Sequence, residues 1–495
     1  MHKKIINILK NAIENYTIEL LIISIVLIIL INTLFINPII GKCDNGDFGR
    51  LMIYGDIDNL SDNYKKIYDY FLHINYSISP LGLPLIFYKD WVSCSLVLKI
   101  SSIIFFIING FESNLFDIRY IAFVYSCIFL IGIFFIVNCK KFNKFSRILL
   151  GVYIILFFTS TCYIEYFNSF FGEAGTFAFL ILTLGTYLNL ISKSEVKKRH
   201  FIYFFIASAC FLTAKSQNIP MLLFMLIIYT VLFISYKNIK IRKTIFISSI
   251  IVIFMCCISY FSLTKFINEN NIYQSVFSGV LRGSNNPKRD LKELGIEARF
   301  KVFKGHSFYK KTDGLNPTSK DMLTNFYPHI SNFKILFFYL NHPTRMWQKI
   351  VDAANSAYEV MDVPGACNFV KGEYAPNKKF NAFRSILIEK FPAIHRNIYI
   401  FIAFSLMYFA ICLLYLVKGR DIFVRLLNLM LIFILVLGSS QFILPVIGAG
   451  HGDFEKHLFL LNLSYDIMFG VGFVWVINMI SKVVKIVLKL VVDRY

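Results

Sequence analysis

TIELLIISIVLIILINTLFINPII, residues 17–40, carries one charged side chain, Glu19, in 24 positions. A helix needs roughly 20 mostly apolar residues to cross the hydrocarbon of a bilayer. This run is long enough. Read outward along the chain, the same test finds nine more candidates: 117–138, 147–164, 174–192, 201–216, 219–235, 244–264, 396–417, 423–445 and 457–480. The expected fold is therefore all-α, a polytopic membrane bundle of about ten spans. Composition agrees, with 57% hydrophobic and 16% charged residues and a mean hydropathy of +0.61. A soluble chain sits nearer about 45–50% apolar and about 25% charged. A soluble multidomain enzyme and a disordered chain are both excluded. The run at 17–40 is too long for the core of a cleaved signal and no A-x-A site follows it, so it reads as a retained anchor. No internal repeat stands out, which weakens a repeat-built transporter.

The net charge of +21 invites a nucleic-acid reading until its position is considered. Short cytoplasmic loops are enriched in Lys and Arg. Segments 1–16, 139–147, 193–200, 236–243, 418–425 and 481–495 together hold 22 basic and four acidic residues. With ten spans all six fall on one side, both termini are cytoplasmic, and orientation accounts for most of the charge without nucleic acid. Residues 91–109 are apolar but would invert this pattern if they crossed. They are expected to lie at the outer interface, with Lys99 turned to headgroups.

Two long segments then face outward. The first, 41–116, belongs to an N-terminal membrane module spanning 1–264. The second, 265–395, is long enough to form a small, mainly helical external domain, before a C-terminal module at 396–495. NPKRDLKELG (286–295) has a helix start at Pro287 and a stop at Gly295. Residues 337–361 read as two helical pieces broken at Pro343. Most of the ten cysteines fall in spans, where a thiol is an ordinary small apolar group. Cys43, Cys94 and Cys367 lie outside, where a Cys43–Cys367 bridge is one option.

Four polar groups gather at outer span ends. CDNGDFGRLM (43–52) places Asp44 and Asp47 just past span one. The sequence is first of all turn chemistry at a helix exit; the functional reading is a carboxylate that takes a proton from an acceptor hydroxyl or holds a divalent cation. YIEYFNSFFGEAGT (163–176) carries Glu165 and Glu173. Acids at membrane depth usually have a task, although Glu173 also suits the start of span four. AKSQNIP (214–220) carries Lys215, either a partner for a lipid phosphate or a snorkelling cation. GAGHGDFEKH (448–457) carries His451, Lys456 and His457. Headgroup or phosphate binding is one reading and interfacial anchoring the other, while zinc is disfavoured by the spacing. Asp466 is a further acid, inside the last span, with no evident partner.

These motifs, in this order, resemble the GT-C superfamily of polytopic glycosyltransferases that use polyprenyl-phosphate-linked sugars. The likeness rests on Asp44-Asn45-Gly46-Asp47-Phe48 after span one, the Pro-rich SPLGLPLIFYKDW (79–91), NLFDIRY (114–120) leading into span two, the acidic turn with Glu173, and CFLTAKSQNIP (210–220). It covers residues 17–260 at motif level. More narrowly, VFSGVLRGSNNPKRDLKELG (276–295), YFNSFFGEAG (166–175) and GHGDFEKHLFLLNLSYD (450–466) resemble WsfD-type glycan-biosynthesis hexose transferases. The resemblance implies a catalytic base or metal ligand at Asp47 or Asp44 and a second acidic role at Glu173. Asp47 and Glu173 would then be the ligands of a divalent cation, magnesium or manganese. Two departures put the metal in doubt: Asp47 is followed by Phe48 where an acid is usual, and Glu173 stands where many relatives have Asp.

The reading that follows is an inverting transfer of a sugar from a polyprenyl-phosphate donor to a glycan or lipid-linked acceptor on the outer face of a bacterial cell membrane. Asp47, Asp44 and Glu173 would be catalytic. Lys215, Arg119, Glu165, His451, Lys456 and His457 would bind substrate. A glycan-lipid flippase or transporter, a glycan polymerase or ligase, and a non-catalytic scaffold are the competing readings.

Overall fold

A computed structural model describes residues 2–79, 88–309, 314–358, 369–373, 382–450 and 454–492. The chain is a polytopic helical membrane protein. Among the described residues eight helices are long and apolar enough to cross a bilayer: Asn15–Leu34, Arg119–Val137, Gly172–Ile191, Ser216–Ser235, Ile239–Phe261, Ile398–Lys418, Ile422–Ser440 and Phe459–Ile486. A further apolar helix pair is bent by 70° between Lys144–Phe158 and Thr161–Phe167, a broken span or a re-entrant turn by its shape. Its last turns before the break are a π-helix, Ile154–Phe158, a common cause of kinks.

The helix Lys198–Thr213 has 16 residues, about 24 Å of helix and short for a full crossing. It packs along Gly172–Ile191, and the carbonyl just past its end, on Ala214, lies 3.1 Å from where a side chain on Gly172 would begin. It therefore runs back to the start of the helix it follows, beside the eight long apolar helices and the one bent pair among the described residues. Small residues let these helices approach. A Cβ on Gly185 would sit 2.4 Å from the Gly132 carbonyl, so the second and fourth spans meet backbone to backbone.

Ion pairs tie the basic loops to one end. Glu19, buried near the start of span one, meets Lys140 at 2.7 Å and also Arg147. Lys141 reaches Asp421 at 3.2 Å. Asn143 donates to Asn478 in the last helix. Segments 139–147 and 418–425 thus share an end with the start of span one.

The opposite end departs from the sequence expectation in three places. The first loop adds a small sheet to a fold expected to be all-α. β1 (Ile57–Asp58), β2 (Asn75–Ile78) and β3 (Leu115–Asp117) form an antiparallel sheet in that order. Buried Tyr76 on β2 pairs with buried Phe116 on β3, and alternate burial along so short a run is a weak sequence signal. Next, Lys99 is not turned to headgroups. The helix Cys94–Asn109 exposes Ile100, Ile103 and Ile107 and buries Lys99, which meets Asp56 at 3.2 Å. Finally, Asp466 does have a partner. Arg384, from the helix Phe383–Lys390 beyond span seven, contacts its carboxylate at 2.5 Å inside the bundle. Tyr163 and Tyr358 donate to the same carboxylate at 2.6 and 3.1 Å.

Elsewhere the segment between Phe261 and Ile398 follows its local signals. The Asn286 side chain caps Pro287–Glu293, and Gly295, at φ +76°, follows the helix end. Asn332–Asn341 and Pro343–Asn355 are separate helices meeting at Pro343. Residues 80–87 of the Pro-rich stretch, Cys367, His451 and Asp453 lie outside the described residues.

Candidate functional site

The first loop is folded by its own acids. Asp44 accepts the backbone N–H groups of Gly46 and Phe48 at 2.7 and 3.2 Å. This local turn takes up one oxygen of a buried carboxylate. Burial pushes the Asp44 carboxyl up, against the downward pull of those two N–H groups and of the Lys456 and His73 charges. Phe48, fully buried, packs its ring 5.2 Å from that of Phe170 and 4.8 Å from that of Phe171. The residue that replaces the usual second acid therefore anchors the loop to the turn between spans three and four. Asn168 in that turn donates to the carbonyls of Leu34 and Ile40, at 3.0 and 2.8 Å.

With Asp44 turned inward, Asp47 faces the last span. Its carboxylate is in contact with the Lys456 ammonium and 3.5 Å from Arg50. Lys456 also lies over the Phe171 ring, 4.9 Å from its centre. Burial draws the Lys456 ammonium down to about 8, opposed by the charge of Asp44. Across from this pair, Glu173 sits buried in the first turn of Gly172–Ile191 and meets Lys215 at 2.6 Å. The chain bends after Lys215 into a short 3₁₀ helix, Ser216–Met221. That bend lets Gln217 donate to the His457 carbonyl at 2.9 Å and to Gln441 at 2.6 Å.

His457 is held neutral by burial first and then by the charges of Lys215, Lys456 and Arg50. It is thus a hydrogen-bonding group beside the Gln217 amide and adds no positive charge for a headgroup. Glu173, Lys215, Gln217, Lys456 and His457 all line one small pocket, with Thr176 on its wall. Three segments supply it, around 173–176, 215–218 and 456–460.

Residues 3–489 match the family described as the YfdI N-terminal transmembrane domain. The chain belongs to that family. No curated protein matches the sequence. Two solved structures of the oligosaccharyltransferase of Archaeoglobus fulgidus align with it at 12% identity. One, tethered to an acceptor peptide, gives a TM-score of 0.38 over 92% of this chain and 50% of that one. The other, with an inhibitory peptide and a dolichol-phosphate, gives 0.40 over 96% and 52%. The chain spans about half the length of either.

The remaining expected residues fall elsewhere. Arg119 is clasped by Asp117, with contacts of 3.0, 2.9 and 2.5 Å. Glu165 is buried against Lys42 at 2.7 Å. A divalent cation does not fit the described residues. Asp47 and Glu173 each face a lysine, and no three His, Cys, Asp or Glu side chains come together among the described residues. Gln217, Thr176 and Phe171 were not anticipated. Gln217 is two residues from Lys215 in a polar turn, and that proximity was the available signal.

Proposed function

We propose that the protein is a membrane glycosyltransferase of GT-C type, related to WsfD-type hexose transferases. It moves a sugar, a hexose, from a polyprenyl-phosphate donor to a glycan or lipid-linked acceptor at the outer face of the cell membrane, with both termini cytoplasmic. The observation that carries this reading is a pocket lined by the Glu173–Lys215 pair and by Lys456, whose ammonium in turn holds Asp47. Each acid is a proton acceptor, and each lysine a phosphate partner, already held in place. The end of the bundle supports it too, since the pocket lies opposite the basic loops.

In this mechanism the donor phosphate draws Lys456 and Lys215 toward itself, and Asp47 is released from its ion pair. The acceptor hydroxyl oxygen attacks the anomeric carbon as its proton passes to Asp47. The bond from that carbon to the phosphate oxygen breaks, and the electron pair leaves with the lipid phosphate. The two lysines meet the charge that develops there. Attack opposite the leaving phosphate inverts the anomeric centre. Glu173 positions Lys215 and borders the acceptor.

The test is transfer of radiolabelled sugar in membranes carrying Asp47→Asn. General-base catalysis is worth about 10²–10⁴-fold, and a loss of that size is expected with the protein still present at wild-type level. Undiminished transfer removes Asp47 from the chemistry. Product length on a gel separates single transfer from polymerisation or ligation. Movement of a sugar lipid across liposomes with no new glycosidic bond would replace the reading with a flippase.

A further inference from the structure

The helix Asn332–Asn341 is apolar on two faces. One of them is used: Ile335, Phe338 and Tyr339 are buried, and the helix packs against Leu444–Ala449 and the π-helix Gln274–Val280. The other is open. Phe333 is 72% exposed, Phe337 61% and Leu340 53%, and their spacing of four and then three residues sets them in one stripe. Asn332, Lys334 and Asn341 are also exposed, in the first and last turns. A helix face turned to water carries polar residues along its centre. A contiguous apolar patch instead marks a contact with protein or membrane.

The place of the helix in the fold selects between the two. Leu444–Ala449, on which it packs, begins four residues after the membrane helix Ile422–Ser440 ends. Pro343–Asn355 follows it directly, and the exposed Trp347 packs its ring 6.3 Å from that of Tyr399. Tyr399 is in the first turn of the membrane helix Ile398–Lys418 and is 69% exposed. Ile402, Leu406 and Leu413 continue that exposed side along the same helix, and in a chain that crosses the bilayer this side meets lipid. Trp and Tyr gather at the boundary between hydrocarbon and water, so Trp347 and Tyr399 mark its level. The apolar stripe thus lies where one membrane helix begins and another ends, and it is continuous through Trp347 with a surface that faces lipid.

We propose that Asn332–Asn341 docks on the lipid surface, with Phe333, Phe337 and Leu340 seated between the headgroups and the upper acyl chains. The docking ties the segment between Phe261 and Ile398 to the membrane at a point away from its two covalent ends. It does not depend on the glycosyl-transfer reading. The experiment places a tryptophan in the stripe, Phe337→Trp, in a Trp347→Phe background. The full chain is held in phosphatidylcholine discs, and the signal of the background variant is subtracted. The two probes are phosphatidylcholine brominated on the upper part of its acyl chains and iodide in the buffer. An interfacial helix face sits about 5–10 Å into the headgroup boundary, so brominated lipid should quench the new tryptophan about twofold, and iodide should quench it less than about a third as strongly as free tryptophan. Leu340→Trp, on the same stripe, asks the same question where Phe337→Trp folds poorly. Iodide quenching equal to that of free tryptophan would put the face in water and overturn the proposal. Protection from iodide without quenching by brominated lipid would mean that protein covers the face, a second copy of this chain included, and would equally overturn it.

Discussion

Two regions of this bundle hold a carboxylate against a cation, and they are built differently. Around Asp466 every group is closed in. Arg384 lies 2.5 Å from the carboxylate, two tyrosines donate to it, and the guanidinium stacks over both rings at 4.5 and 5.1 Å. Around Glu173 and Asp47 the acids meet lysines, one strong contact each, beside a pocket. Arginine's planar fork suits a fixed, fully bonded site, whereas lysine is a compact charge on a flexible stem. A pair that must open for a substrate is better made with lysine. The Asp466 cluster reads as a lock between the helix Phe383–Lys390 and the last span. The lysine pairs read as a site.

The largest effect expected from this contrast is on folding. Asp466→Ala leaves the buried Arg384 guanidinium without its anion, and removing one partner of such a pair costs about 3–5 kcal/mol. Thermal unfolding in detergent should fall accordingly. Replacing both, with Asp466→Leu and Arg384→Met, should recover most of the loss, because the pair itself contributes little beyond a well-packed apolar substitute. If the double variant transfers no sugar while folding normally, the cluster has a part in chemistry and the contrast with the lysine pairs is wrong.

A smaller effect on stability, but a direct one on transfer, is expected at Lys215. Lys215→Met strips Glu173 of its cation and should cost about 1–3 kcal/mol of stability. Transfer should fall about ten- to a hundredfold, the worth of one charge-assisted bond to a phosphate. Lys215→Arg keeps the charge and should retain most of both. Transfer rate, measured on protein matched for folded fraction, separates the two losses. If Lys215→Met alters stability alone, its pair with Glu173 is a second lock and the comparison collapses.

How much of this was legible in the sequence follows from how local each signal is. Spans are local, since a bilayer asks only for length and hydrophobicity, and the eight long apolar helices and the bent pair were readable at the level of existence. Lys198–Thr213 was harder, because its first turn is basic and its course depends on meeting Gly172. The four polar segments of the site were readable as polar groups at span ends. Their pairing was not. Nothing near Asp47 announces Lys456, 409 positions away, and Lys99 looked like a snorkelling cation because Asp56 is 43 positions distant. Arg384 lies in a stretch with ordinary outer-segment composition, so no local feature marks it as the partner of Asp466.

The smallest and most discriminating effect is expected at Asp44, where turn-former and catalyst make opposite predictions. Asn in its place keeps an oxygen for the Gly46 and Phe48 N–H groups and removes only the charge. Burial raises the folded-state pKa of Asp44 above its ordinary value of 3.8. The native state therefore holds its proton more tightly than the unfolded chain does. The associated stability is present in full below the unfolded value and is lost as pH rises through the folded one. Thermal unfolding of the wild type should show this loss between acid and neutral pH, superimposed on other groups, and Asp44→Asn should flatten that part of the profile. If Asp44 only shapes the turn, transfer by Asp44→Asn stays within about threefold of wild type, a difference of under ~1 kcal/mol. A fall comparable with that of Asp47→Asn would instead mean that the buried carboxylate shares the proton, so that the acid of the site is the Asp44–Asp47 pair.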